Sequence, residues 1–318
     1  MSNSVRQPGE TGSFIDPPTL MRIKNLEMRA RIVVEGFWHG LHRSPYHGFS
    51  VEFTEYRQYS PGDDPRYLDW KLFARSDRYY IKKFEDETNL RCHLLVDSSR
   101  SMGFGSMGYT KADYANTLAG TLGYFLFLQG DAVGLLRFDE DVRDYLPARN
   151  RTGHLRHLML ALEKTAVGLR TDLDMPLKRI AEMASKRGLM ILISDLLAPI
   201  GALEKNLAGL VACGHEVLLF HLFDPAELNF NYEKALLFRD LESGRELFID
   251  PVTARKNYLK KLQAHNASVR AVCQKLGIGY SALTTDQPLE LALFDFVRGR
   301  AERGKRVRRP NHSPRTAS

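Results

Sequence analysis

The chemistry-bearing stretch of this sequence is Leu94-Leu95-Val96-Asp97-Ser98-Ser99-Arg100-Ser101-Met102. An apolar run ends in a carboxylate, and hydroxyls follow at two-residue spacing. In a loop at the end of a strand, Asp97, Ser99 and Ser101 can turn their oxygens into one small space. Hard oxygens of this kind suit Mg2+ or Mn2+; Mg2+ keeps several waters and takes few carboxylates. A second apolar run, 189–193, is followed closely by another acid, Asp195. Two such strands bring both carboxylates to one sheet edge. Thr171 opens a helix through Thr171-Asp172-Leu173-Asp174-Met175-Pro176, and its hydroxyl can face that edge too.

The elements that must position these residues can be read from the pattern. The segment 90–96 is too short for a helix and apolar enough for a strand buried on both faces. A helix over 110–129 follows, with Gly130 fitting its left-handed stop. The spacing predicts strands over 132–138, 189–193, 216–223 and 278–282. Helices are predicted over 155–162, 176–186, 202–212, 252–276 and 289–297. Strand, helix and parallel strand in this order imply right-handed crossovers. The stretch 235–249 breaks the rhythm, and Glu242-Ser243-Gly244 between two apolar runs reads as a β-hairpin. Upstream, 20–37 has helical spacing, 50–59 and 79–84 read as strands, and Ser60-Pro61-Gly62-Asp63 has strong turn chemistry. The expected fold is α/β, a mostly parallel sheet with helices on both faces. A small N-terminal β-containing subdomain and a hairpin insertion complete it. The expected boundaries are a disordered N-terminus over 1–19, the subdomain over 20–88, the sheet domain over 89–298 and a basic disordered tail over 299–318.

Composition narrows the function classes. The chain has 318 residues, 43% hydrophobic and 26% charged, which is ordinary for a globular protein. No apolar run reaches the roughly 18 residues of a spanning helix, and the polar N-terminus has no signal-peptide core. A cytoplasmic protein is expected. The net charge of +7 is local: residues 299–318 carry +6 of it. A near-neutral body argues against specific nucleic-acid binding. Cys92, Cys213 and Cys273 are far apart in apolar contexts, so buried thiols are expected, with no zinc site or disulfide framework.

The order Asp97-x-Ser99-x-Ser101, then a Thr-Asp pair before a helix, then a strand ending at Asp195, resembles the von Willebrand factor A domain. That resemblance implies a Rossmann-like sheet and a metal-ion-dependent adhesion site. By motif its ligands are Asp97, Ser99, Ser101, Thr171 and Asp195, the last of which some relatives hold only through water. Two departures stand out. Leu169-Arg170 replaces the usual Gly-Gly before the Thr, and Leu196 replaces the Gly that often follows the later Asp. A longer match lies upstream: Gly48-Phe49-Ser50-Val51-Glu52-Phe53, Glu55, Arg57, Tyr59, Pro61-Gly62-Asp63-Asp64, Arg66, Asp69-Trp70-Lys71 and Ala74-Arg75. This resembles the signature of domain of unknown function family 58, whose members join it to a von Willebrand factor A-like domain and are associated with MoxR-type AAA+ ATPases.

Two functional classes follow. The first is a metal-dependent interaction module, with an acidic partner group completing the coordination and Arg100 and Arg170 favouring it. The partner implied is a MoxR-type ATPase or its client. Glu52, Glu55, Arg57, Asp63, Asp64, Arg66, Asp69, Trp70 and Arg75 are candidates for a second contact surface. Against that, alternating acids and arginines also build salt-bridged platforms. The second class is a metal-assisted hydrolase, a phosphatase or nuclease, on the same edge. No Ser-His-Asp order, G-x-S-x-G elbow or P-loop is present to support catalysis.

Overall fold

The structure, a computed structural model, describes residues 14–43, 55–58, 80–83, 90–164, 174–184, 186–232, 236–239 and 246–307. Its centre is a six-stranded sheet in the order β10-β7-β6-β3-β4-β5. These strands are β3 (Arg91–Asp97), β4 (Ala132–Phe138), β5 (Val142–Arg149), β6 (Leu189–Ser194), β7 (Glu216–Phe223) and β10 (Gly279–Thr284). All neighbours pair in parallel except β5, which runs antiparallel to β4. Two antiparallel pairs stand outside the sheet, β1 (Glu55–Gln58) with β2 (Tyr80–Lys83) and β8 (Leu236–Arg239) with β9 (Glu246–Ile249).

Period-two alternation divides the core. Leu94 and Val96 of β3 face one layer with Leu135, Ile191, Ile193 and Phe220, while Leu95 faces the other with Leu136, Met190, Leu192 and Leu219. The first layer is covered by α2 (Leu26–Arg43), α3 (Lys111–Leu128), α4 (His154–Leu162) and α9 (Leu289–Val307). The second is covered by α5 (Asp174–Met183), α6 (Ile200–Ala212) and α8 (Pro251–Leu276). Two short helices remain, α1 (Pro17–Met21) and α7 (Pro225–Asn229).

Several expectations change. The helix expected over 20–37 is two helices, because Asp16 caps α1, with Pro17 at its first position, and the Asn25 side-chain oxygen accepts the Met28 amide at the start of α2. Residues 14–19 are not a free tail: Ile15 packs on the core and Phe14 meets Phe294 edge-on at 6.2 Å. The edge strand β5 was not expected. Its Arg143, Asp144 and Pro147 interrupt the apolar alternation, and Pro is tolerated at a sheet edge. The last helix was expected to stop at Val297 and continues to Val307. Cys213 is exposed rather than buried, since it caps the end of α6; Cys92 and Cys273 are buried. The expected turn over 60–63 lies outside the described residues. No helix among the described residues is long and apolar enough to cross a membrane.

Candidate functional site

The order of the sheet locates the site. The chain leaves β3 through α3 to β4 on one side, and β6 then pairs on the other side of β3. At such a reversal the loops beyond the strand ends diverge and leave a crevice, where open α/β sheets bind ligands. Asp97 ends β3, and Asp195 directly follows β6, so both carboxylates reach this crevice.

Asp97 is 1% exposed. One carboxylate oxygen accepts the Ser99 amide at 2.8 Å, and the other accepts the Ser194 hydroxyl at 2.6 Å. Ser98 turns away, donating to the Phe138 carbonyl at 2.8 Å. Ser99 and Ser101 remain on the Asp97 side, with their hydroxyl oxygens 3.1 Å apart. Among the described residues no cation pairs with Asp97. Burial, and then the charge of Asp195, push its carboxyl up to about 7 despite the hydrogen bonds from Ser194 and Ser99.

Asp195 is different, because it has a cation. Lys111 Nζ donates to Asp195 Oδ2 at 2.8 Å and to Glu227 Oε1 at 2.6 Å. Lys111 is 1% exposed, and its ammonium lies 5.9 Å from the Phe104 ring centroid. Burial pulls its pKa down, but Asp195 and then Glu227 outweigh this, and the net direction is upward. Glu227 also closes a capping box on α7: its other oxygen accepts the Asp224 amide at 2.8 Å. Burial raises the Glu227 carboxyl, and Lys111 opposes that.

The surrounding loops are fixed. Ser106 donates its amide to Asp224 at 2.8 Å and its hydroxyl at 2.5 Å, which ties the loop after β3 to the start of α7. Tyr109 donates to the Thr285 carbonyl at 2.6 Å. On the other side, Leu196 sits in the left-handed region at φ 52 while fully buried. His221 donates from Nε2 to the Asp195 carbonyl at 2.9 Å, so its Nδ1, 3.0 Å from the Tyr280 hydroxyl, is the acceptor. His265 donates to the Leu196 carbonyl at 3.0 Å. The turn is therefore held from below in a conformation that leucine disfavours.

Of the metal ligands expected from the sequence, the structure brings Asp97, Ser99 and Ser101 into one cluster and places Asp195 beside it, held by Lys111. Thr171 and Arg170 lie outside the described residues. Arg100 is exposed on a short 3-10 turn, Arg100–Gly103. Glu55 and Arg57 sit on β1 at the register positions opposite Lys83 and Ile81. Glu52, Asp63, Asp64, Arg66, Asp69, Trp70 and Arg75 lie outside the described residues. Among the described residues no group of at least three His, Cys, Asp or Glu side chains is placed to hold a metal. One carboxylate with two hydroxyls is instead a donor set of the sparse, hard kind that Mg2+ accepts.

Sequence reasoning missed Lys111, Ser194, His221, Asp224 and Glu227. Lys111 left a signal: it directly follows the N-cap Thr110, where the helix dipole disfavours a cation, so it needs acids nearby. His221 stands in an otherwise apolar strand.

Residues 55–268 match the family described as Protein of unknown function DUF58. The chain belongs to this family. It is 29% identical over 295 residues to the uncharacterized protein Rv1480 of Mycobacterium tuberculosis, covering 91% of this chain and 92% of that protein. The uncharacterized protein Mb1516 of Mycobacterium bovis matches to the same extent, at 29% over 295 residues, 91% and 92%. Among solved structures, the chain is similar to the conserved hypothetical protein BatB of Bacteroides thetaiotaomicron. That match has a TM-score of 0.47 and 15% identity, and covers 67% of this chain and 99% of that one. An aerotolerance-related membrane protein from Bacteroides fragilis is similar at TM-score 0.47 and 15% identity, covering 66% and 99%.

Proposed function

We propose that this crevice is a divalent-cation site through which the protein docks an acidic group of a partner, on a von Willebrand factor A-like sheet. The observation that carries the reading is Asp97. It is a buried carboxylate with hydroxyls gathered beside it and no cationic partner among the described residues. A buried charge without a counter-charge is costly, and a cation bound there removes that cost. Asp97, Ser99 and Ser101 would hold Mg2+ or Mn2+, with Thr171, which precedes α5 in the sequence, as the further ligand the motif suggests. Asp195, neutralised by Lys111, serves as an outer carboxylate.

The ion supplies an open coordination position and surplus positive charge. Asp97 neutralises only part of a divalent charge, and the serine hydroxyls neutralise none. A partner carboxylate at that position makes a charge-assisted contact, and losing one buried partner of this kind costs about 2–5 kcal/mol. Arg100 beside the loop favours the same anionic group. The partner we infer is a MoxR-type AAA+ ATPase, or a client it remodels.

Calorimetry between this protein and a MoxR-type ATPase of the same organism tests the reading. Affinity is expected to fall about tenfold or more in EDTA and in Thr171→Ala, as loss of a coordinated contact requires. Tight binding that ignores both chelation and Thr171→Ala would remove the metal from recognition. The contact surface would then be sought around residues 48–75.

A further inference from the structure

We propose that Lys111 is a resident cation that competes with the divalent ion for Asp195, and so sets how strongly this edge takes up metal. The inference rests on the metal reading above, because it concerns the same edge.

Lys111 is poorly explained by packing. It is the first residue of α3, its ammonium is buried, and the helix dipole at that end repels it. An apolar side chain would fill the same volume without burying a charge. What Lys111 does instead is bond two carboxylates from different crossovers, Asp195 after β6 and Glu227 on α7. The Asp195 Oδ2 facing it is thereby occupied at 2.8 Å. A divalent ion drawn directly onto Asp195 would sit against this ammonium, and two cations at such a separation repel strongly in a dry site. Either the ion stays on Asp97 with Asp195 in the outer sphere, or Lys111 withdraws. Glu227 gives it somewhere to go. That carboxylate already holds Nζ at 2.6 Å, its side chain is 21% exposed, and the capping box fixes its place on α7. Metal uptake by Asp195 and transfer of Lys111 onto Glu227 are two halves of one exchange.

Two substitutions separate the halves with opposite signs. Lys111→Met removes the competitor and leaves Asp195 free. Glu227→Gln removes the charge that receives Lys111 and ties the ammonium more tightly to Asp195. Mn2+ alone is titrated into each purified full-length protein by calorimetry at one fixed pH, with circular dichroism to confirm folding. Lys111→Met should bind about tenfold more tightly than wild type, or more, and Glu227→Gln roughly threefold more weakly, as the change in local charge requires.

Wild type that binds Mn2+ while Lys111→Met binds no more tightly overturns the competition and leaves the metal reading standing. Binding by Lys111→Met alone upholds the competition, and the metal-dependent reading of the wild-type protein falls. Silence in both proteins overturns both. Should Lys111→Met fail to fold, Glu227→Gln decides: weaker binding supports the exchange, and unchanged or tighter binding overturns it.

Discussion

At the scale of single residues, the site is built by groups that act on Asp97 and Asp195 from beneath and beside them. Gly105 shows how little room the loop has. A β-carbon there would stand 1.9 Å from the Tyr109 carbonyl oxygen, because the loop folds back to place the Lys111 amide on the Phe104 carbonyl at 2.8 Å. Gly105→Ala is therefore expected to push residues 104–110 outward and to cost about 1–3 kcal/mol. Bound Mg2+ is expected to raise the wild-type melting temperature, and that rise should shrink in Gly105→Ala; an unchanged rise would show that the loop does not shape the site. His93 makes a different prediction. It is buried in β3, its Nδ1 has no acceptor or donor, and burial, then His215 and Arg91, pull its pKa from 6.5 down to about 4. The folded state thus takes up fewer protons than the unfolded one between those values. Stability is full above about pH 6.5 and is lost as pH falls through that window, by roughly 3 kcal/mol in all. Urea midpoints measured from pH 7 to 4 should fall less steeply in His93→Gln, and equal slopes would exclude His93 as a source.

At the scale of elements, the sheet is supported by helices whose aromatic residues meet. Phe37 of α2 is fully buried, with ring centroids 5.7 Å from Trp38, 5.6 Å from Phe125 of α3 and 4.7 Å from Phe294 of α9. Phe37→Ala opens a cavity at this junction and should cost about 3–5 kcal/mol by denaturant unfolding. A cost near zero would mean that α2 is not part of the folding unit. What was legible in the sequence at this scale follows from periodicity. The runs that became β3, β4, β6 and β7 are apolar on both faces, as strands covered on both sides by helices must be. β5 was not legible, because an edge strand needs only half its residues inside and tolerates Pro147. The end of α9 was not legible either, since its last turns are rich in Arg and Lys and lack apolar spacing. Asp97, Ser99 and Ser101 could be read because two-residue spacing after a strand is local information. Lys111 could not be placed, because its partners Asp195 and Glu227 lie far along the chain and only the folded topology joins them.

At the scale of the molecule, the chain is a DUF58 family member whose six-stranded, mostly parallel sheet reverses its strand order beside β3, where such sheets leave a crevice. The central role proposed for that crevice is the holding of a divalent cation on Asp97. Crystals soaked in Mn2+, with diffraction recorded at the manganese absorption edge, test this most directly. An anomalous peak is expected within about 2.1–2.3 Å of an Asp97 carboxylate oxygen and of the Ser99 and Ser101 hydroxyls, as hard-oxygen coordination requires. The same soak of Asp97→Ala should show none. A wild-type map without a peak at Asp97, or with one bound only elsewhere, would contradict it.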